Sequence, residues 1–156
     1  MRDDLPRMLH ACDGAASGVI DNELFIAGGH GEDGSLLTLQ IYNFTTKTWR
    51  SGAAPPYRCD YAKGVVVAGN LFVVTNGRML PVYDPQSNAW NGRLRILPIY
   101  DNHGVTSVCA HNGRLVVFLS DGTALELADG SWSEDYEVAV AGGCGHDDIV
   151  ESVILG

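Results

Sequence analysis

The sequence predicts an all-β protein made of about three four-stranded antiparallel units, and three observations predict it. First, Trp49, Trp90 and Trp132 stand 41 and 42 residues apart, and each follows an apolar or aromatic residue by seven: Tyr42, Tyr83 and Leu125. Second, upstream of each lies a turn followed by an apolar run: DNELFIAGG at 21–29, AGNLFVVTNG at 68–77 and HNGRLVVFLSDG at 111–122. Third, no stretch sustains a 3.6-residue apolar period, so no helix is expected. Recurrence at about 40–50 residues marks stacked repeat units rather than one irregular sheet.

Each unit reads as four short strands: one before the turn, one after it, one ending at the Tyr or Leu position and one starting at the Trp. The dipeptides Asp21-Asn22, Gly69-Asn70 and Asn112-Gly113 supply the positive φ angles that a tight hairpin demands. The first two units agree further. Cys12-Asp13, Gly18-Val19 and Leu24-Phe25 recur as Cys59-Asp60, Gly64-Val65 and Leu71-Phe72, 46 to 47 residues on. The boundaries follow as about 8–54, 55–99 and 100–145 within a single domain of 156 residues. The tail 146–156 contains DIVESVIL, which alternates apolar and polar and reads as a closing strand or the start of a fourth unit. A four-stranded sheet that is apolar on both faces must be covered on both, which units stacked around a channel achieve as the blades of a propeller. Each Trp is then expected to wedge against a neighbouring blade.

At these residues a family becomes visible. Gly28-Gly29 after an apolar strand, then Tyr42 and, seven later, Trp49 resemble the kelch repeat. Thr75-Asn76-Gly77 replaces the double glycine in the second unit. In the third, Ser120-Asp121-Gly122 replaces it and Leu125 stands for the tyrosine. Leu5-Pro6-Arg7 and Pro55-Pro56-Tyr57-Arg58, each preceding a first strand, resemble the inter-blade links of plant F-box/kelch proteins. The resemblance implies a partial kelch-type propeller. Three repeats are half of a six-blade ring, so the expectation is a piece of a longer protein or a homodimer that completes the ring.

The string Gly29-His30-Gly31-Glu32-Asp33-Gly34 also matches G-x-G-x-x-G, the dinucleotide fingerprint. That fingerprint must open a helix and be followed about 20 residues on by an acidic ribose ligand. Here the glycines run into SLLTLQIYNF, which reads as a strand, and 43–47 holds no carboxylate. Gly28-Gly29 is therefore expected to end a strand where a side chain would clash, with 30–35 as the loop to the next.

Composition excludes other classes. A net charge of −9, pI near 4.7 and only 10 basic residues give no basic face for a phosphate backbone, so no nucleic acid partner is expected. The most apolar run, 64–75, is too short for a membrane-spanning helix and is broken by Gly69-Asn70. The start MRDDLPRMLHAC lacks the basic-then-apolar order of an export signal, which predicts a cytoplasmic or nuclear location. In that setting the sequon Asn43-Phe44-Thr45 is expected to stay bare. Cys12, Cys59, Cys109 and Cys144 form no C-x-x-C pair, so free thiols are expected, with no metal and no cofactor. His146-Asp147-Asp148 carries metal-friendly donors, but neighbouring strand residues point to opposite faces. Glu32-Asp33 and Glu134-Asp135 read as solvated turns. No E-x-x-x-D-x-x-x-H string of the iron-binding kelch proteins is present.

What remains is surface. In kelch propellers the loops between second and third strands and the inter-blade links gather on one face and hold the partner. Carried over, that gives His30, Glu32 and Asp33 in the first loop and Arg78 in the second. The links add Tyr57, Arg58, Asp60 and Tyr61, then Tyr100, Asp101 and His103. Tyr and Arg are frequent interface anchors. The leading expectation is a protein-binding module resembling the substrate-recognition part of plant F-box/kelch ubiquitin-ligase adaptors. No F-box-like segment precedes the repeats, so the expected role is target recognition or competition. The alternatives are a kelch-fold enzyme acting on sugars, like the copper-dependent galactose oxidases or the sialic acid epimerases, with Cys109 and His111 as the nearest metal pair, or a gene fragment without function.

Overall fold

A computed structural model describes residues 4–75, 79–91, 95–96, 104–128 and 131–137. Among these there is no helix, and none long and apolar enough to cross a membrane. The first unit holds β1 (Ala16–Ile20), β2 (Glu23–Ala27), a small hairpin of β3 (His30–Gly31) and β4 (Gly34–Ser35), then β5 (Leu39–Asn43) and β6 (Thr48–Ser51). The second holds β7 (Lys63–Val67), β8 (Asn70–Val74), β9 (Met79–Leu80), β10 (Val82–Asp84), β11 (Ala89–Trp90) and β12 (Arg95–Ile96). The third holds β13 (Val105–His111), β14 (Arg114–Leu119), β15 (Thr123–Ala128) and β16 (Ser131–Glu137). Three antiparallel four-stranded sheets result, ordered β1-β2-β5-β6, β7-β8-β10-β11 and β13-β14-β15-β16, with β3-β4 and β9-β12 as two-stranded additions. The fold is thus all-β, a partial propeller of three blades.

The turns explain the hairpins. Asn112 and Gly113 take φ of 48° and 72°, and Asp21 takes 52°. In the second unit the turn sits one residue earlier than the sequence suggests. Ala68 and Gly69 make it, with φ of 49° and 76°, while Asn70 already pairs with Val67 at the head of β8. The strand register therefore holds the first two sheets at one constant offset, which sets Gly64 at the position of Ser17 rather than of Gly18.

The seven-residue spacing to the tryptophan is a four-residue hairpin loop. Tyr42 pairs with Trp49 and Tyr83 with Trp90, their ring centroids 5.0 and 5.2 Å apart. Asn43 and Asp84 initiate these loops with side-chain oxygens that accept backbone N–H groups two residues on, at 2.9 Å in both. In the third sheet the hairpin is shorter. Trp132 pairs with Leu127, so Leu127, not Leu125, occupies the tyrosine's place; Leu125 pairs with Val117.

Strand alternation sends successive side chains to different neighbours. Leu71 and Val73 join Ala16, Phe25, Ala27, Leu39, Ile41 and Tyr83 in a core between the first and second sheets. Val74, with Phe72 against it, joins Leu115, Val117, Leu119, Leu125 and Leu127 in a core between the second and third. Each fully buried aliphatic chain contributes about 1.5–3 kcal/mol relative to exposure.

The tryptophans also clamp the links. Trp90 Nε1–H donates to Ala53 O at 2.8 Å, and Trp49 Nε1–H donates to Pro6 O at 2.9 Å, so each blade's last strand grips the chain that enters that blade. Asn88, with φ of 48°, completes the second clamp: its Oδ1 accepts from Tyr83 Oη–H at 2.7 Å and from the Ala53 N–H at 2.9 Å. Lys47 occupies the equivalent place in the first blade with φ of 56°, and the buried Tyr42 hydroxyl there has no partner. Lys47→Asn puts a residue that tolerates this backbone beside an orphaned hydroxyl, and is expected to raise stability by about 0.5–1.5 kcal/mol. Urea unfolding of Lys47→Asn against Lys47→Gln checks it, since glutamine lacks the short-side-chain preference for positive φ.

Candidate interaction surface

At the end of the first two sheets where β2 finishes and β7 begins, three chain segments meet at Gly28-Gly29. Gly28 takes φ of 68°, and a Cβ there would lie 2.6 Å from the Cys59 Cβ. Gly29 takes φ of 90°, and its Cβ would lie 2.7 Å from Asp13 O. Only glycine satisfies both the angle and the space. The junction is closed by backbone bonds. Gly29 N–H donates to Cys59 O at 3.2 Å, Gly28 N–H to Thr38 O at 2.8 Å, and Leu36 N–H to Gly29 O at 2.8 Å. His30 and Asp13 exchange N–H donors at 2.8 and 3.0 Å. The G-x-G-x-x-G string is therefore a strand end followed by the β3-β4 hairpin, with no helix for a phosphate to face.

On this junction stands much of the predicted surface. The side chain of His30 is exposed, and Glu32 and Asp33 form the exposed hairpin tip. Tyr57 and Arg58 are exposed in the link to the second blade, and Tyr61 is 63% exposed. Tyr61 takes φ of 52° and lays its ring edge against Gly14, whose added Cβ would meet Tyr61 Cδ1 at 2.9 Å. Asp60 is placed differently: Ser35 Oγ–H donates to its Oδ2, tying the hairpin to the link, and its Oδ1 is buried without a partner. Asp60 thus acts as a tie that holds the surface's shape. Arg78, Tyr100, Asp101 and His103 lie outside the described residues, as do Cys144 and His146. Sequence reasoning missed Ser35, Asp13 and Gln40. The paired Cys-Asp dipeptides were the available signal for Asp13. Gln40 is buried, and its side-chain amide grips the His10 backbone, accepting from N–H at 2.8 Å and donating to O at 2.9 Å.

The thiols here are quiet. Burial, and then the Asp60 charge, push the Cys59 thiol up to about 11. Burial, and then Asp13, raise Cys12, and burial alone raises Cys109. Cys109 and His111 share a face of β13, where His111 pairs with Arg114. Among the described residues no three His, Cys, Asp or Glu side chains stand close enough together to hold a metal ion. A pH consequence follows for Cys59. The unfolded thiol ionises near pH 9 while the folded one holds its proton to about 11, so this contribution to stability is complete below pH 9 and lost between 9 and 11. Urea midpoints at pH 8 and pH 10.5 are expected to fall less for Cys59→Ala than for the unmodified protein.

The Kelch motif matches residues 11–56, the whole of the first sheet with its hairpin. The chain carries a kelch repeat over these residues. Over 101 residues, 59% of its length, it is 31% identical to the F-box/kelch-repeat protein At1g67480 of Arabidopsis thaliana, and the match spans 25% of that protein. The kelch chain also superposes on the solved structure of YjhT with a TM-score of 0.67 at 17% identity, over 83% of itself and 53% of the YjhT chain. This second likeness concerns the fold. The kelch repeats thus span about a quarter to a half of the lengths of the proteins they match. In kelch terms, Gly28-Gly29, Tyr42 and Trp49 are the framework of the first blade, and the hairpin tip and link residues are what that framework displays.

Proposed function

We propose that this chain is a protein-binding module whose contact surface is the loop end of the first two blades, and that it serves as the target-recognition part of an F-box/kelch ubiquitin-ligase adaptor. One observation carries the binding role. Exposed Tyr57, Arg58 and Tyr61 and the His30, Glu32 and Asp33 hairpin are presented at one end, on a junction that two positive-φ glycines and Asp60 hold in a single shape. Rigid display of exposed aromatic and charged side chains on loops is how scaffolds present a binding surface. The adaptor role is supported by similarity to an Arabidopsis protein named for the F-box and kelch repeats. In this role the chain works in the cytoplasm or nucleus.

The test is comparative capture from a plant cell lysate with three immobilised forms: unmodified, Tyr61→Ala with Glu32→Ala, and Thr45→Ala with Thr46→Ala at the opposite end of the sheet. The expected result is a protein retained by the first and third forms and lost from the second by at least about tenfold. Equal retention by all three places the contact elsewhere. A retained target whose ubiquitination is unchanged when the chain is overproduced leaves the binding role and removes the adaptor role.

A further inference from the structure

Of the 10 basic residues in this chain only Lys47 and Lys63 are lysines, and the others are arginines. The two residue types carry the same charge, and what lysine alone offers is a primary amine open to acylation. The two amines are placed differently. Lys63 begins β7 half-buried, on the face it shares with Val65 and Val67, which pack against the third sheet. Lys47 is exposed in the β5-β6 hairpin loop. That loop lies at the end of the first sheet away from Gly28-Gly29. The β2-β5 pairing runs from Ala27 and Leu39 at the junction to Glu23 and Asn43 at the loop, roughly 14 Å along the strands.

The fold gives no reason of its own for a lysine at position 47. Its φ of 56° is a left-handed angle that asparagine tolerates better. In the second blade the same place is held by Asn88, whose Oδ1 accepts from both Tyr83 Oη–H and the Ala53 N–H. With Lys47 there, the buried Tyr42 hydroxyl has no partner. The loop is nevertheless held in one shape. Asn43 Oδ1 accepts from the Thr45 and Thr46 N–H groups, both at 2.9 Å, and Lys47 N–H donates to Asn43 O at 2.8 Å. The Thr46 and Thr48 hydroxyls bond each other at 2.7 Å. A residue kept against its backbone angle, while a buried hydroxyl goes unpaired, is kept for its side chain.

We propose that Lys47 is the chain's own ubiquitin acceptor, placed so that attached ubiquitin stands away from the surface that holds the target; this rests on the adaptor role above. In the step, the Lys47 Nζ amine attacks the thioester carbonyl at the C-terminus of ubiquitin carried on its conjugating enzyme. The isopeptide C–N bond forms as the C–S bond breaks, and the proton shed by the amine goes to the departing thiolate. Nothing is oxidised or reduced. Self-modification then marks the adaptor without masking its loop end.

The experiment expresses the chain in plant cells under proteasome inhibition, recovers it under denaturing conditions and maps the diglycine remnant that trypsin leaves on ubiquitinated lysines. The forms compared are the unmodified chain, Lys47→Arg, Lys47→Asn and Lys63→Arg. The remnant is expected on Lys47, with the ubiquitin-bearing fraction falling at least about tenfold in both Lys47 variants and unchanged in Lys63→Arg. Misfolding raises ubiquitination rather than lowering it, so neither loss can be put down to a damaged fold. In the purified chain, an N-hydroxysuccinimide acetyl ester should label Lys47 at least about tenfold faster than the half-buried Lys63. A remnant on Lys63 with Lys47 bare, undiminished ubiquitin on Lys47→Arg, or equal labelling rates overturns the proposal. A captured target that carries ubiquitin while the chain carries none also overturns it and leaves the adaptor role standing. Ubiquitin on neither removes both.

Discussion

Gly64→Val is expected to leave no cooperative unfolding transition, and Gly64→Ala to cost at least about 3 kcal/mol. A Cβ at this position would stand 2.2 Å from Ser17 O, 2.5 Å from Ser17 N and 2.8 Å from Ser17 C. The obstacle is the backbone of β1, which belongs to its own hairpin and has no rotamer to yield. Relief requires the first two sheets to move apart by about an ångström, and a gap of that size forfeits a quarter to a half of each dispersion contact across it. Ala16, Ile20, Leu71 and Val73 all lose contacts together. The control is Gly104→Ala, which meets nothing within 4 Å and should change stability by less than about 0.5 kcal/mol. Urea unfolding followed by tryptophan fluorescence reads both, and a Gly64→Ala midpoint equal to the unmodified one would show that the sheets do not approach so closely.

Trp90→Ala is expected to cost about 3–5 kcal/mol, the range for removing a large aromatic ring from packed surroundings. Its ring packs on the core between the first and second sheets and against Tyr83, and its N–H holds Ala53. Trp90→Phe separates these parts. The phenyl ring keeps most of the packing and drops the donor, so a loss of about 1–2 kcal/mol is expected. Trp49→Ala should cost less than Trp90→Ala in this chain, because Trp49 stacks on Tyr42 on the outward face of the first sheet, where among the described residues no further sheet packs on it. Equal costs for the two alanine variants would contradict a special place for the ring between sheets.

The architecture was legible because repetition carries its own check. The tryptophan spacing, the turn dipeptides and the double glycine each predicted where a strand begins or ends, and in the first sheet the strands fall there. Details set by one residue's backbone angle were not legible. The second turn moved to Ala68-Gly69 because glycine took the second positive-φ place and left a plain alanine with the first, a choice that composition does not reveal. Leu125 was matched to the tyrosines by counting from Trp132, but the shorter last hairpin gives that place to Leu127. On the candidate surface, exposure of Tyr57, Arg58 and Tyr61 followed from their position in a link. The conversion of Asp60 into a tie did not, since it depends on Ser35, 25 residues away in a different segment. Gln40 looked like any polar residue of a strand until its amide met the His10 backbone.

The two indole clamps bear on the order in which the chain becomes stable as it is made. Each joins residues far apart in sequence, 43 positions in the first and 37 in the second, and in both the anchored carbonyl emerges from the ribosome long before its tryptophan. A nascent chain whose emerged part ends between residues 53 and 90 would hold a finished first blade whose onward link is still free. Closing so long a loop costs entropy that only the late-arriving outer strand repays. Synthesis would then proceed as a ratchet, one blade locked per tryptophan. Protease sensitivity of stalled chains around residue 53 should drop abruptly once Trp90 has cleared the exit tunnel.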